Sequence, residues 1–172
     1  MTTLLNDADL PFDTELTVNV ADSSYSKAYY LSPVRAFDNH VEVNRVAKNR
    51  KFFHLLSPPD PHPGHGGRIK HFGTAFDLKD TGTWGEPDEE TEIPWETHSG
   101  RKLQVKLQRW NDLLMRGKID APMYEKPFDL VCCQVFDQQD KLVFKNILWL
   151  IVFGKRRCKI STAAAYETYR QR

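Results

Sequence analysis

The chain has no apolar run long enough to cross a bilayer as a helix. Its longest, "ILWLIVF" from Ile147 to Phe153, is seven residues, whereas a spanning helix needs roughly 20. The opening "MTTLLNDADLPFDTEL" has no basic start and no long apolar stretch, so it does not read as a signal peptide. A soluble, cytoplasmic protein with no membrane partner is the expectation. Cysteine is scarce: Cys132 and Cys133 are adjacent and Cys158 stands alone. That odd, scattered set gives neither a disulfide framework nor a metal spacing. Glycine-rich phosphate loops and nucleophile elbows are missing, which removes support for nucleotide hydrolysis and acyl transfer. No nucleophile stands out for a hydrolase. There are no repeats and no low-complexity segments.

What is present is enough for a packed core: 40% hydrophobic and 12% aromatic residues. The net charge of +1 hides segregation. Asp77 to Glu96 carries a net −7, while Arg101 to Lys118 and Lys155 to Arg172 each carry +5, and Arg35 to Lys70 carries +4. Basic blocks around an acidic one suit a polyanion-binding surface, or solvated faces that balance each other.

"ELTVNVADSS" has strand character, with Leu16, Val18 and Val20 alternating against Thr17 and Asn19. "SSYSKAYYL" has helix-like spacing, with Ser23 or Ser24 as N-cap and Pro33 at its far end. "HVEVNRVAKNRKFFHLL" gives a second strand with Val41, Val43 and Arg45 in phase and a basic exit. Strand, short helix, strand is the grammar of an α/β unit. Ser57 to about Gly100 reads as an irregular excursion holding a strand or two, beginning in a Pro/Gly-rich loop. "KLQVKLQRW" alternates strictly, placing Leu103, Val105 and Leu107 opposite Lys102, Gln104, Lys106 and Gln108. "NDLLMRGKIDAPMYEKP" then reads as a turn or short helix followed by loop. "FDLVCCQVF" and "LVFKNILWLIVF" are two strands joined through "DQQDK", the second buried on both faces in its latter half. Cys132 and Cys133 should point to opposite faces. Ser161 is the expected N-cap of a final helix rich in alanine.

Asp22 ends the first strand, where α/β sheets gather their sites. It suits either a divalent metal or the capping of the following turn. His62, His65 and His71 read as surface-loop residues, since no ligand pattern completes a metal site around them. In the last helix, Tyr166, Tyr169 and Arg172 are spaced three apart on one face. Tyrosine beside arginine suits base stacking and phosphate pairing, or packed rings with solvated arginines.

Taken in order, "VADSSYSKAYYL", "VEVNRVAKNRKFF" and "AYETYRQR" resemble the catalytic core of bacterial insertion-sequence DDE transposases of the subgroup with a β-rich insertion. The resemblance spans most of the chain, although each motif is short. It implies an α/β fold, a partial RNase H-like core with a β-rich insertion. The portions are 1–56 for the core with the second catalytic Asp, 57–154 for the insertion, and 155–172 for the start of the catalytic helix. It makes Asp22 the catalytic and metal-bridging Asp, in a family that works with two Mg²⁺ ions. Tyr169 and Arg172 match the first two positions of a Tyr-x2-Arg-x3-Glu-x6-Lys signature and would grip DNA. Arg45, Lys48, Arg50, Lys51, Lys102 and Lys106 are candidate backbone contacts. The implied partners are transposon-end DNA and, in the intact family, a second copy in a homodimer.

The departures matter as much. The stretch holding Asp7, Asp9 and Asp13 reads as a loop, not the strand that carries the family's first Asp, and the Glu would fall four residues past Arg172. With one of three carboxylates, Mg²⁺ is not expected to bind this chain alone. A truncated, inactive fragment is therefore the expectation. A non-enzymatic DNA-binding or protein-interaction domain is the alternative.

Overall fold

A computed structural model describes residues 15–56 and 70–171. Asp7, Asp9, Asp13, His62, His65, Arg172 and most of the expected Pro/Gly loop lie outside the described residues. The first strand, β1 (Thr17–Ala21), runs parallel to β2 (His40–Val46), with Val18 opposite Val41 and Ala21 opposite Asn44. A 3-10 turn at Ser23–Tyr25 and the helix α1 (Ala28–Val34) connect them. The expected strand–helix–strand unit is therefore present. Pro33 lies inside the last turn of α1, not beyond it.

Next come β3 (Lys51–Phe53) and β4 (Ala75–Asp77), a small antiparallel pair. Four longer strands follow: β5 (Glu89–Glu96), β6 (Lys102–Leu113), β7 (Phe128–Phe136) and β8 (Leu148–Phe153). All four are antiparallel to their neighbours, and the six-stranded sheet has the order β1-β2-β8-β7-β6-β5. The segment read as a turn after "KLQVKLQRW" instead continues β6 to Leu113, and Leu114 bridges to Phe53.

The expected α/β class, a partial RNase H-like core with a β-rich insertion, is corrected by this architecture. The chain is mostly β, 38% strand against 17% helix, built as one curled mixed sheet with two short helices. The physical reason is the placement of β8. Its residues are apolar on both faces, so it is stable only inside a sheet covered on both sides. It sits between β2 and β7, pairing Val43 with Val152 and Val131 with Leu150. The β-rich stretch thereby completes the same sheet as β1 and β2.

Each face of that sheet has its own core. Trp149, Ile151 and Phe153 of β8 join Phe128 and Leu130 of β7 on the face covered by α1 and the β3/β4 pair. Leu150 and Val152 join Val131, Cys133, Val41, Val43, Val105 and Leu107 on the opposite face. The final helix, α2 (Thr162–Arg170), covers this second face with Ala165 and Tyr166. It touches both sheet edges, β1 and β5, so the sheet curls around it. Cys132 and Cys133 fall on opposite faces, as alternation requires.

Candidate nucleic-acid interface

Strand pairing fixes direction. β1, β2 and β5 point one way and β6 and β8 the other. α2 starts beside the first residue of β5, where Thr162 Oγ1 donates to Glu89 Oε2 at 2.7 Å. It ends near the close of β5, where the Arg170 guanidinium lies 5.1 Å from the Trp95 ring centroid. The helix therefore runs along β5 in that strand's own direction. Asp22 follows β1 at the edge where that strand ends, exposed and extended at φ −80, ψ 175. Its Oδ1 accepts from Ser23 N at 2.6 Å, capping the 3-10 turn. Arg45, one step past the Ala21–Asn44 pair on β2, is level with Asp22 and exposed.

The other candidates separate by surroundings. Lys48 is exposed in the turn after β2. Arg50 is half-buried, donates from Nη2 to Ser26 O at 3.4 Å and lies 5.7 Å from the Phe52 ring centroid. Burial pulls its guanidinium below its ordinary value. Lys51 pairs with Asp77 at 3.0 Å. Lys102 and Lys106 lie on the face of β6 away from α2. Lys106 pairs with Glu92 at 3.5 Å and stands 5.1 Å from the Phe136 ring centroid, while Lys102 is in register with Glu96. The acidic block thus becomes β5, laid against the basic residues of β6.

On α2, Tyr166 is buried and Tyr169 packs half-buried against the same core. Burial, with Cys133 nearby, pushes the Tyr166 phenol up. Of the sequence-predicted set, Asp22 and Arg45 share one edge, while the end of α2 lies against Trp95 of β5. Arg50, Lys51, Lys102 and Lys106 do not join them. His71 stacks on Tyr124 with ring centroids 4.2 Å apart.

Sequence reasoning missed two buried polar groups. Asp129, in β7, receives Arg109 Nη2 at 2.5 Å, Arg157 Nε at 2.8 Å and the Asp112 amide at 3.2 Å. Arg109 Nη1 also donates to Ile160 O at 2.6 Å, and Arg157 pairs with Asp112. Asp112 takes φ 55 where β6 shifts register, a bulge that turns it toward this cluster. The group ties the segment leading into α2 onto the sheet. The second group is Glu42 of β2, fully buried, which meets His40 Nε2 at 2.9 Å and Asn19 Nδ2 at 2.8 Å. Burial and then the Glu42 charge push the Tyr30 phenol from 10.0 to about 12. The available signal was a charged residue inside an apolar strand: Asp129 in "FDLVCC", Glu42 in "VEV", and Arg109 in phase after Leu107.

Comparison with family models, curated proteins and solved structures found no match.

Proposed function

We propose that the chain is a DNA-binding portion of a DDE-type insertion-sequence transposase, holding transposon-end DNA by its backbone without cutting it alone. The observation that carries this reading is the shared edge: Asp22 after β1 and the exposed Arg45 level with it on β2. An exposed guanidinium at the end of a parallel pair suits charge-assisted bonding to a phosphate approached from that side, whereas the Asp22 carboxylate without a metal adds no attraction. The reading carries a cytoplasmic location with it. Among the described residues no helix is long and apolar enough to cross a membrane.

Two Mg²⁺ ions on a phosphodiester need several carboxylates held together. Among the described residues no three His, Cys, Asp or Glu side chains gather to hold a metal, and Asp22 caps a turn. The described residues assemble no two-metal site, and no cleavage step is derived from them. Phosphate contact alone gives affinity without sequence readout.

The test is fluorescence anisotropy with labelled duplex DNA. Affinity should fall steeply between about 50 and 200 mM salt. Arg45→Glu and Lys48→Glu should each weaken binding and reduce the salt slope by about 1. Binding that ignores salt, or that both substitutions leave intact, removes the reading.

A further inference from the structure

On the face of the sheet away from α2, the chain after β6 and the chain leading into β4 enclose an open cleft of about 710 Å³. Its walls are fixed by backbone. Phe53 N donates to Leu114 O at 2.9 Å and Leu114 N returns to Phe53 O at 2.8 Å. Lys118 and Ala121 close a tight turn with bonds of 3.1 and 3.2 Å. Both walls need glycine at the point of closest approach. A Cβ on Gly117 would sit 2.2 Å from Ala121 O, and one on Gly73 would sit 2.6 Å from Leu55 O. Ala121 O accepts from Lys118 N at 3.1 Å, so it cannot move without opening the turn.

Beside the aliphatic side chains of Ile119, Pro122 and Met123, the described lining has two chemistries. The first is flat rings: Phe53 and Phe72 with centroids 4.9 Å apart, and His71 stacked on Tyr124. The second is cationic: Lys70, Arg116 and Lys118, all exposed. Arg116 spreads its guanidinium 5.0 Å from the Phe53 centroid. Among the described residues no carboxylate lines the cleft, and none of the three cations has a carboxylate partner. Lys51, Lys106 and Lys155 elsewhere each have one. Apolar surface is left open as well, with Tyr124 38% exposed and Ile119 fully so.

We propose that this cleft binds an unpaired stretch of nucleic acid, with bases on the Tyr124 and Phe72 rings and phosphates on Lys70, Arg116 and Lys118. Rings and cations lining one cleft suit a strand whose bases stack and whose phosphates pair with cations. Single strand is favoured over duplex because paired bases are already stacked on both faces. A duplex would engage the cations and leave the rings idle. An acidic peptide would satisfy the charge and offer no regular series of flat partners. The site lies apart from the Asp22 edge and does not rest on the transposase reading.

The experiment is anisotropy with a labelled oligothymidylate of about 12 nucleotides, within the span such sites cover. Tyr124→Ala should weaken binding about tenfold, the loss of one stacked base. Tyr124→Phe, which keeps the ring, should retain it. Lys118→Ala and Arg116→Gln should each weaken binding and flatten the salt slope by about 0.7. Lys141→Ala, a charge loss on a distant exposed connection, should change nothing. The altered side chains are exposed, and circular dichroism verifies that each variant folds. Four outcomes overturn the proposal: Tyr124→Ala binding as the parent does, duplex of equal length competing as well as single strand, polyglutamate displacing the oligonucleotide as well, and thymidine monophosphate competing at equal concentration. Because the duplex assay reads other residues and another ligand, either proposal can fail while the other stands.

Discussion

Asp129 is 2% exposed and has three donors around it, from Arg109, Arg157 and the Asp112 amide. Removing one partner of a buried pair leaves the other charge without compensation, at a cost of about 3 to 5 kcal/mol. Asp129→Ala should therefore lower unfolding free energy by about 3 kcal/mol in urea titration. A loss under about 1 kcal/mol would mean the cluster is better solvated than its burial implies. A second prediction concerns alkaline pH. Burial pushes the Cys132 thiol from 9.0 to about 12, and pushes the neighbouring Cys133 thiol well above its ordinary value. Tyr30 moves from 10.0 to about 12. The folded values are the raised ones, so above about pH 9 the unfolded chain ionises while the folded chain does not. This contribution is complete below the ordinary values and is lost as pH rises through the folded ones. Urea midpoints should hold to about pH 8.5 and then fall. A midpoint that stays level well beyond that range would contradict the burial of these groups.

At the scale of elements, α2 depends on its first residues. Ser161 Oγ accepts from Ala164 N at 3.1 Å, and Thr162 anchors to Glu89. Three consecutive alanines favour the helix, but nine residues are too short to hold it unaided. Packing of Ala165 and Tyr166 against the sheet supplies the rest. Ser161→Ala should cost about 1 kcal/mol, and Ser161→Asp should restore it, since aspartate caps as well and suits the positive end of the helix dipole. Equal stability of all three proteins in urea would show that packing alone fixes the helix start. The edge strand β5 shows protection of another kind. It carries Pro94 and four glutamates, Glu89, Glu90, Glu92 and Glu96, which discourage a further strand from pairing there.

For the whole molecule, the decisive fact is that one sheet takes strands from both ends of the sequence. β1 and β2 at the start are joined through β8 to β7, β6 and β5, and α2 closes the face they share. Asp22 is carried to the edge, but no trio of metal-ligating side chains forms among the described residues. On the proposed non-cleaving reading, supercoiled plasmid incubated with the chain and Mg²⁺ should stay unnicked. Nicking that vanishes in Asp22→Ala would show that the single carboxylate suffices, and the non-cleaving reading would fall.

The pattern of the sequence determined most individual elements. Strict alternation from Lys102 to Gln108 predicts β6, the apolar run from Trp149 to Phe153 predicts a strand buried on both faces, and Ser161 predicts the cap of α2. These follow from local periodicity and local hydrogen bonding, which a sequence displays directly. It was silent on partners. Nothing in "LWLIVF" says that it pairs with β2 on one side and β7 on the other, and that pairing turned an expected α/β core with an insertion into one curled, mostly β sheet. The tertiary structure also sorted the charges. The parallel register of β1 and β2 put Arg45 beside Asp22, and the pairing of β6 with β5 set Lys102 and Lys106 against glutamates on the far face. It brought Lys70 next to Arg116 and Lys118 across more than forty residues of chain. Periodicity fixes which face of a strand a side chain takes, whereas only long-range packing decides what that face meets.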